Sequence, residues 1–551
     1  MFVRVKPSGA YKYLQIVHNY WDHGKVRQKV IASLGRLDKL VETGSINGLT
    51  RSLMRFSTNL KVVQAHQAGT LQATRVWSIG PGLVFDRLWE ELGVSQVLTE
   101  SLQGRRFGFS VERAVFLTVL HRLFASGSDR EADKWREGYR IEGIEGLELH
   151  HLYRAMAWLG EELPEGEQGE AGGFSPRCTK DVIEEELFSR QRDLFSSLEL
   201  VFFDTTSLYF EGEGGASLGR RGNSKDHRPD LYQMVVGVVL DGRGRPLCCE
   251  LWPGNTADVT TLVPVIERLR KRFEIGSVCV VADRGMISSS NLKHLEGTVP
   301  PISYILGVRM RRVKEIREKV LAAEGEYVEV VPEREKGKDP SPLKVREVVV
   351  EGRRYVECYN AEQARKDAAD REAILEGLRE KLSRGEKVLV GNKGYRRYLK
   401  ATPKGTHFQI DEHKVAEEKQ YDGRWVLRTN TQLPVEEVAL TYKQLWQVES
   451  IFRSMKSMVR TRPVYHKCDE TIRGHVFCSF LALALVKELQ ARLEARGKTL
   501  EWKDMLRDVE RLQEVEVECD SQRVYLRTEL RGDCIEVLRA AGVRVPSSVR
   551  Q

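Results

Sequence analysis

This 551-residue chain lacks several features that would each have named a class of protein. No apolar run is long enough to cross a bilayer. The longest, Val476 to Val486, is bounded by His475 and Lys487 and predicts a buried helix. The nine cysteines form no C-x-x-C pair and several sit inside apolar runs. A structural zinc site or a disulfide framework is therefore not expected, and a reducing cytoplasm is. The opening MFVRVKPSGAYKYLQIV has no apolar block of the kind a secretory leader carries, so none is expected, nor any membrane partner. No repeat recurs at solenoid or propeller periods. Strong charge of one sign is missing too: Lys+Arg 87 against Asp+Glu 79 gives +8, too dilute over this length to argue alone for a polyanion.

What is present is a soluble globular composition, 41% apolar, in a chain long enough for two to four domains. Two β-rich runs, Tyr11 to Trp21 and Lys25 to Ser33, flank the turn Asp22 to Gly24 and read as a small hairpin within 1–60. Residues 61–195 read as largely helical, with Ser110 a plausible N-cap, and the Glu/Gly-rich stretch Glu161 to Gly173 as an exposed linker. An apolar run then ends on a carboxylate at Asp204. Strands follow at Leu231 to Leu240 and Arg245 to Trp252, and a helix at Asp258 to Phe273. The strand Val278 to Asp283 again ends on a carboxylate, before a short helix and a strand at Ile302 to Val308. That order, three meandering strands, helix, strand, helix, strand, defines a first core part over 196–310. Residues 311–427 shift to a strongly charged, partly β composition and read as an inserted module, with a hairpin turning at Glu351-Gly352. A strand at Asp422 to Asn430 re-enters the main body, and 428–500 supply its second, helical part. Residues 501–551 read as a terminal helix and hairpin.

The chemistry lies in carboxylates. The strand order makes the strands of Asp204 and Asp283 neighbours. Farther on, in Tyr442-Lys-Gln-Leu-Trp-Gln-Val-Glu-Ser-Ile-Phe-Arg-Ser-Met-Lys456, helical spacing puts Tyr442, Leu445, Trp446, Phe452, Arg453 and Lys456 within roughly 60° of Glu449. A Glu on an apolar, aromatic and basic stripe needs a partner. Two strand-end carboxylates and a helix Glu form an all-oxygen set suited to Mg²⁺ or Mn²⁺, and a pair of such ions suits phosphodiester chemistry. Each residue also has an ordinary structural alternative: a turn former for Asp204, a helix cap for Asp283, a salt bridge to Arg453 for Glu449. Seven Lys/Arg between Val438 and His475, against three acids, fit a polyanionic partner.

Tyr442-x2-Leu445-x3-Glu449-x6-Lys456 resembles the Y-x2-R-x3-E-x6-K signature of bacterial insertion-sequence transposases of the DDE class, with Leu445 in place of the Arg. Phe203-Asp204-Thr-Thr-Ser, Asn223 to Asp230, Gly254 to Asp258, Ala282 to Gly285 and Asp422 to Asn430 resemble the same family, so the likeness covers about 200 to 490. The resemblance implies an α/β, RNase H-like mixed-sheet core (βββαβαβα) interrupted by a largely β insertion module, behind a helical N-terminal region. It implies Asp204, Asp283 and Glu449 as the catalytic, metal-binding triad with Mg²⁺ (Mn²⁺ as substitute). Tyr442 and Lys456, with Arg453, Arg284 and Lys225, are the implied DNA contacts. It further implies double-stranded DNA, both element ends and target, as partner, and a homodimer bridging two ends. The helical region is where end recognition is expected. A nuclease of the same fold without strand transfer and a non-catalytic DNA-binding relative are the competing readings.

Overall fold

A computed structural model describes residues 1–22, 25–54, 66–168, 175–191, 200–273, 278–331, 341–384, 395, 397–401, 408–519 and 522–550. The turn at 23–24, the end of the linker read at Glu161 to Gly173 and the start of the Asp204 strand lie outside them. The chain divides into two compact units: 1–84 with 137–140 and 500–551, and 85–136 with 141–499.

In the first unit the hairpin gains a third strand. Phe2–Ser8 pairs antiparallel with Tyr11–Asp22, which pairs with Lys25–Arg36. Two helices follow, Leu37–Glu42 and Ser45–Met54. A second, four-stranded sheet runs Val549–Arg550, Gln522–Arg527, Gln513–Cys519, Gln72–Ser78. The terminal hairpin is thus present, but it is completed by Gln72–Ser78 from a stretch whose sequence reads as helical. In isolation that strand has no apolar alternation to mark it; antiparallel pairing with Gln513–Cys519 makes it a strand.

The second unit holds the helices of the N-terminal third, among them Val111–Phe124, whose N-cap Ser110 accepts from the Arg113 amide as expected. Its centre is a nine-stranded mixed sheet. The order across it is Val328–Val330, Leu343–Val350, Arg353–Asn360, Arg424–Thr429, Ser303–Gly307, Cys279–Ala282, Leu200–Tyr209, Gln233–Asp241, Pro246–Pro253. The last three are an antiparallel meander, while Leu200–Tyr209, Cys279–Ala282 and Ser303–Gly307 are mutually parallel. The meander and two crossovers are those read from the sequence. The strand Arg424–Thr429 re-enters the main body as read, pairing antiparallel with the edge strand Ser303–Gly307. What differs is that Arg353–Asn360 pairs in turn with it, so that the hairpin of the charged segment extends the core sheet instead of standing apart, while Leu399–Ala401 and Phe408–Ile410 form a small sheet of two strands. An open edge offers unpaired N–H and C=O groups, and the segment between positions 311 and 427 satisfies them.

Helices cover both sheet faces. Leu262–Arg272 and Ser289–Gly297 bury Val265, Ile266, Leu269 and Leu295 against Val201, Phe203, Val280 and Ala282. On the opposite face the helix Trp446–Ser457 packs on Leu200–Tyr209 through Val448, Ile451, Phe452 and Met455. The apolar run near residue 480 lies, as expected, in a largely buried helix, Asp469–Ala495. Among the described residues no helix is long and apolar enough to cross a membrane.

Candidate active site

Asp204 does not end its strand, as the sequence suggests, but sits in its interior. Leu200–Tyr209 continues because Thr205 to Tyr209 keep pairing, with Asp204 opposite Val238. On the other side Phe203 is in parallel register with Ala282. Asp283, the next residue after Cys279–Ala282, therefore stands beside Asp204, one strand spacing away (about 4.8 Å between neighbouring strands).

Burial pushes the Asp204 carboxyl up to about 6. The Lys225 cation and the Thr205 amide, which donates to Asp204 Oδ1 at 2.7 Å, pull it down, while the charges of Asp283 and Asp258 raise it further. The tie to Asp258 runs through Thr205, whose hydroxyl donates to Asp258 Oδ1 at 2.7 Å. Lys225 Nζ donates to the Thr205 carbonyl at 2.6 Å and lies 3.1 Å from Asp258 Oδ2. Asp258 had no place in the sequence-derived site. Its only signal was the Gly254 to Asp258 phrase, which says nothing of a contact 53 residues back in the chain.

Asp283 accepts from the Tyr442 hydroxyl at 3.2 Å. Burial, then the negative charge of Asp283, raises that hydroxyl above its usual range, so Tyr442 remains a donor. The approach depends on Gly307: a Cβ there would come within 2.4 Å of the Tyr442 oxygen.

Glu449 reaches this region differently from the expectation. Tyr442 and Glu449 do not share one helix. Val435–Lys443 ends, and Trp446–Ser457 begins after i→i−3 hydrogen bonds from Gln444 to Thr441 and from Leu445 to Tyr442. Pro434 thus precedes the Tyr442 helix rather than the Glu449 helix. The stripe around Glu449 is only partly buried. Leu445 and Phe452 turn inward with Val448, Ile451 and Met455, whereas Trp446, Glu449 and Arg453 are exposed. Glu449 makes no salt bridge to Arg453, or to any other cation among the described residues.

One cleft of about 1070 Å³ is lined by Asp204, Asp283, Tyr442 and Glu449 together. Its lining also includes Arg284, Arg309 and Arg312, none of which pairs with a carboxylate among the described residues. Arg309 is spent on the carbonyls of Arg284 and Gly285, both at 3.0 Å. Across the cleft the charges are matched: Arg311 binds Glu418 at 2.9 Å and Arg371 binds Asp422. Of the other expected DNA contacts, Arg453 and Arg284 are exposed, whereas Lys225 is tied to Thr205 and Asp258. Lys456 donates to Asp226 at 2.9 Å, and burial lowers its pKa. Arg462 reaches the other Asp226 oxygen at 3.2 Å.

Comparison with known proteins decides the family. Residues 196–485, more than half the chain, match the model described as the transposase DDE domain. The chain belongs to the DDE transposases. Residues 3–66 of this transposase match the N-terminal domain of the IS1634 family transposases, so it is an insertion-sequence transposase, an enzyme of DNA cleavage and transposition. No curated protein matches it. One similar solved structure is titled a piggyBac transposase synaptic complex with hairpin DNA, with 12% identity, a TM-score of 0.39, and 78% and 79% of the two chains covered.

Domains of this class work with divalent metal ions. The donors here fit such an ion in kind: oxygen only, with Asp204 raised first by burial and then by two neighbouring carboxylates, whose repulsion a cation would relieve. As placed, no three acidic, histidine or cysteine side chains among the described residues are gathered tightly enough to hold one. Asp204 and Asp283 stand side by side on parallel strands, and Glu449 lines the same cleft without an ionic partner among the described residues.

Proposed function

We propose that this transposase hydrolyses phosphodiester bonds at the ends of its insertion sequence and joins the freed 3′-OH ends to target DNA, with Asp204, Asp283 and Glu449 as the acting residues. The observation that carries this reading is the shared cleft: two neighbouring carboxylates on parallel strands, a third from the packed helix, and arginines beside them that have no carboxylate partner among the described residues. The parallel strands with their antiparallel meander are an RNase H-like arrangement, and the segment 311–427 is an insertion between core parts 196–310 and 428–500.

Each group then has a task. Arg284 and Arg312 hold the DNA phosphates, and Arg453 extends that contact along the helix. Tyr442 fixes the orientation of Asp283 through its hydrogen bond. Lys225 neutralises part of the acidic cluster until metal is bound. Lys456 meets the phosphate backbone by exchanging Asp226 for it. Mg²⁺, with Mn²⁺ as substitute, held by the three carboxylates would activate the attacking oxygen and stabilise the leaving one. A homodimer would bring two element ends together.

The test is incubation of the protein with Mg²⁺ and a duplex made from the DNA flanking its gene, in the presence of a target plasmid. Cleaved ends covalently joined to the target are expected. Cleavage with no joined product in any metal would overturn strand transfer and leave a nuclease.

A further inference from the structure

Of the net charge of +8, most is concentrated at one end. Residues 1–36 contain Arg4, Lys6, Lys12, Lys25, Arg27, Lys29 and Arg36 against the single acid Asp22. They fold as the three-stranded sheet, and the pairing register shows how it ends. The first strand reaches only from Phe2 opposite Val17 to Ser8 opposite Tyr11, whereas the second and third stay paired from Val17–Val30 out to Asp22–Lys25. Beyond Val17 the sheet is therefore a two-stranded antiparallel ribbon, about 20 Å long at the usual rise per residue. Residues 18–21 and 25–29 along it are all exposed.

The two ribbon faces are chemically different. Cross-strand partners share a face, so His18 with Lys29, Tyr20 with Arg27 and Asp22 with Lys25 form one face. Asn19 with Gln28 and Trp21 with Val26 form the other. On this second face Gln28 is engaged internally, accepting from Arg4 at 2.8 Å. On the first, Arg27 is braced by Asp22 at 2.9 Å, while Lys25, Lys29, His18 and Tyr20 have no partner among the described residues. Three cations at alternate positions, an aromatic hydroxyl and an imidazole thus project from a surface with no core behind it. Within this sheet only Val17 is fully buried.

We infer that this ribbon is a docking surface for duplex DNA, and that its Lys25–Arg27–Lys29 face enters the major groove. A two-stranded ribbon matches that groove, which is about 12 Å wide. The charge is complementary, and Arg or Lys reads guanine edges while its neighbours hold phosphates. The inference rests on the reading of the chain as a DNA transposase, and it moves end recognition from the helical region, where the sequence places it, to the β ribbon.

The test is fluorescence anisotropy of the full-length protein with a labelled duplex from the gene's flanks, titrated at several KCl concentrations. The double variant Lys25→Gln/Lys29→Gln changes only exposed side chains. It is expected to lower the slope of log affinity against log salt by about 2 and to weaken binding at 0.15 M salt roughly 30-fold. The variant Lys25→Arg/Lys29→Arg is expected to keep the wild-type slope, which separates charge from misfolding. An unchanged slope in the Gln variant, with wild-type protein still binding and cutting the duplex, overturns the ribbon and spares the transposase reading. Equal wild-type affinity for a single-stranded RNA of the same length overturns the duplex-groove assignment. Failure of the wild type to bind any duplex overturns the transposase reading itself.

Discussion

Two charged clusters lie in the larger unit, and they solve opposite problems. Around helix Thr179–Gln191, the buried side chains Lys180, Asp181, Glu184, Arg272 and Glu250 are closed on one another. Lys180 Nζ lies 2.6 Å from Asp181 and 2.7 Å from the Cys249 carbonyl. Arg272 divides its guanidinium among Glu184 at 2.7 Å, Glu185 at 2.7 Å and Glu250 at 3.2 Å. Every charge there is answered, as burial requires. At the cleft the answers are incomplete: Asp204 is raised by burial and then by its acidic neighbours, and among the described residues Glu449 has no cation and Arg284 and Arg312 have no carboxylate. A matched network pins a helix to a sheet. A mismatched one leaves charge to be met from outside, which is the basis of the metal and phosphate roles proposed for this cleft.

The comparison breaks most sharply at the acids of the cleft. Asp204→Ala and Asp283→Ala are each expected to reduce cleavage of end DNA by at least about a thousandfold while leaving DNA affinity within a few-fold, since these groups act on the transition state. Gel assays and anisotropy on the same preparations check both halves. In the matched cluster the outcome reverses. Arg272→Ala strands several buried carboxylates and is expected to cost about 3–5 kcal/mol in denaturant melts. Loss of activity there should follow loss of fold.

The protonation of Asp204 sharpens the contrast. Its folded pKa of about 6 lies above its usual 3.8, so the native state binds this proton more tightly than the unfolded chain does. The stabilisation is complete below about pH 4 and is lost as pH rises through 6. In EDTA, Asp204→Asn should therefore match wild type near pH 4 and exceed it above pH 6 by on the order of 2–3 kcal/mol. Added Mg²⁺ should raise the melting temperature of the wild type but not of the Asn variant. A wild-type protein that gains stability from pH 4 to 6 relative to Asn would place the carboxylate in a matched network after all. The smallest effect is expected at Gly307→Ala, where the new Cβ displaces Tyr442 from Asp283. Cleavage should fall about tenfold at a stability cost of roughly 1–3 kcal/mol, and Tyr442→Phe should show a similar rate defect without that cost.

What the sequence made legible follows from which interactions are local. Apolar runs and their order place Asp204 next to Asp283, because a meander followed by crossovers leaves few arrangements. The motif carries Glu449 to the same cleft. The break at Gln444-Leu445 was not legible, since two i→i−3 turns leave the apolar spacing almost undisturbed. The continuation of the core sheet into the charged segment and the strand Gln72–Ser78 were hidden for another reason. Both depend on pairing with distant segments, and no local pattern records such a partner. Asp258 and Asp226 depend on tertiary contacts in the same way.

Glu449 is the residue on which the account can most easily fail, because it lines the cleft without touching the other two carboxylates. Glu449→Gln is nearly isosteric, exposed, and breaks no ion pair among the described residues, so the fold should not change. The decisive measurement is the single-turnover rate of end cleavage in Mg²⁺ for this variant, at saturating protein. A fall of more than about a hundredfold with unchanged DNA affinity is the predicted result. Cleavage at the wild-type rate would contradict the three-carboxylate site.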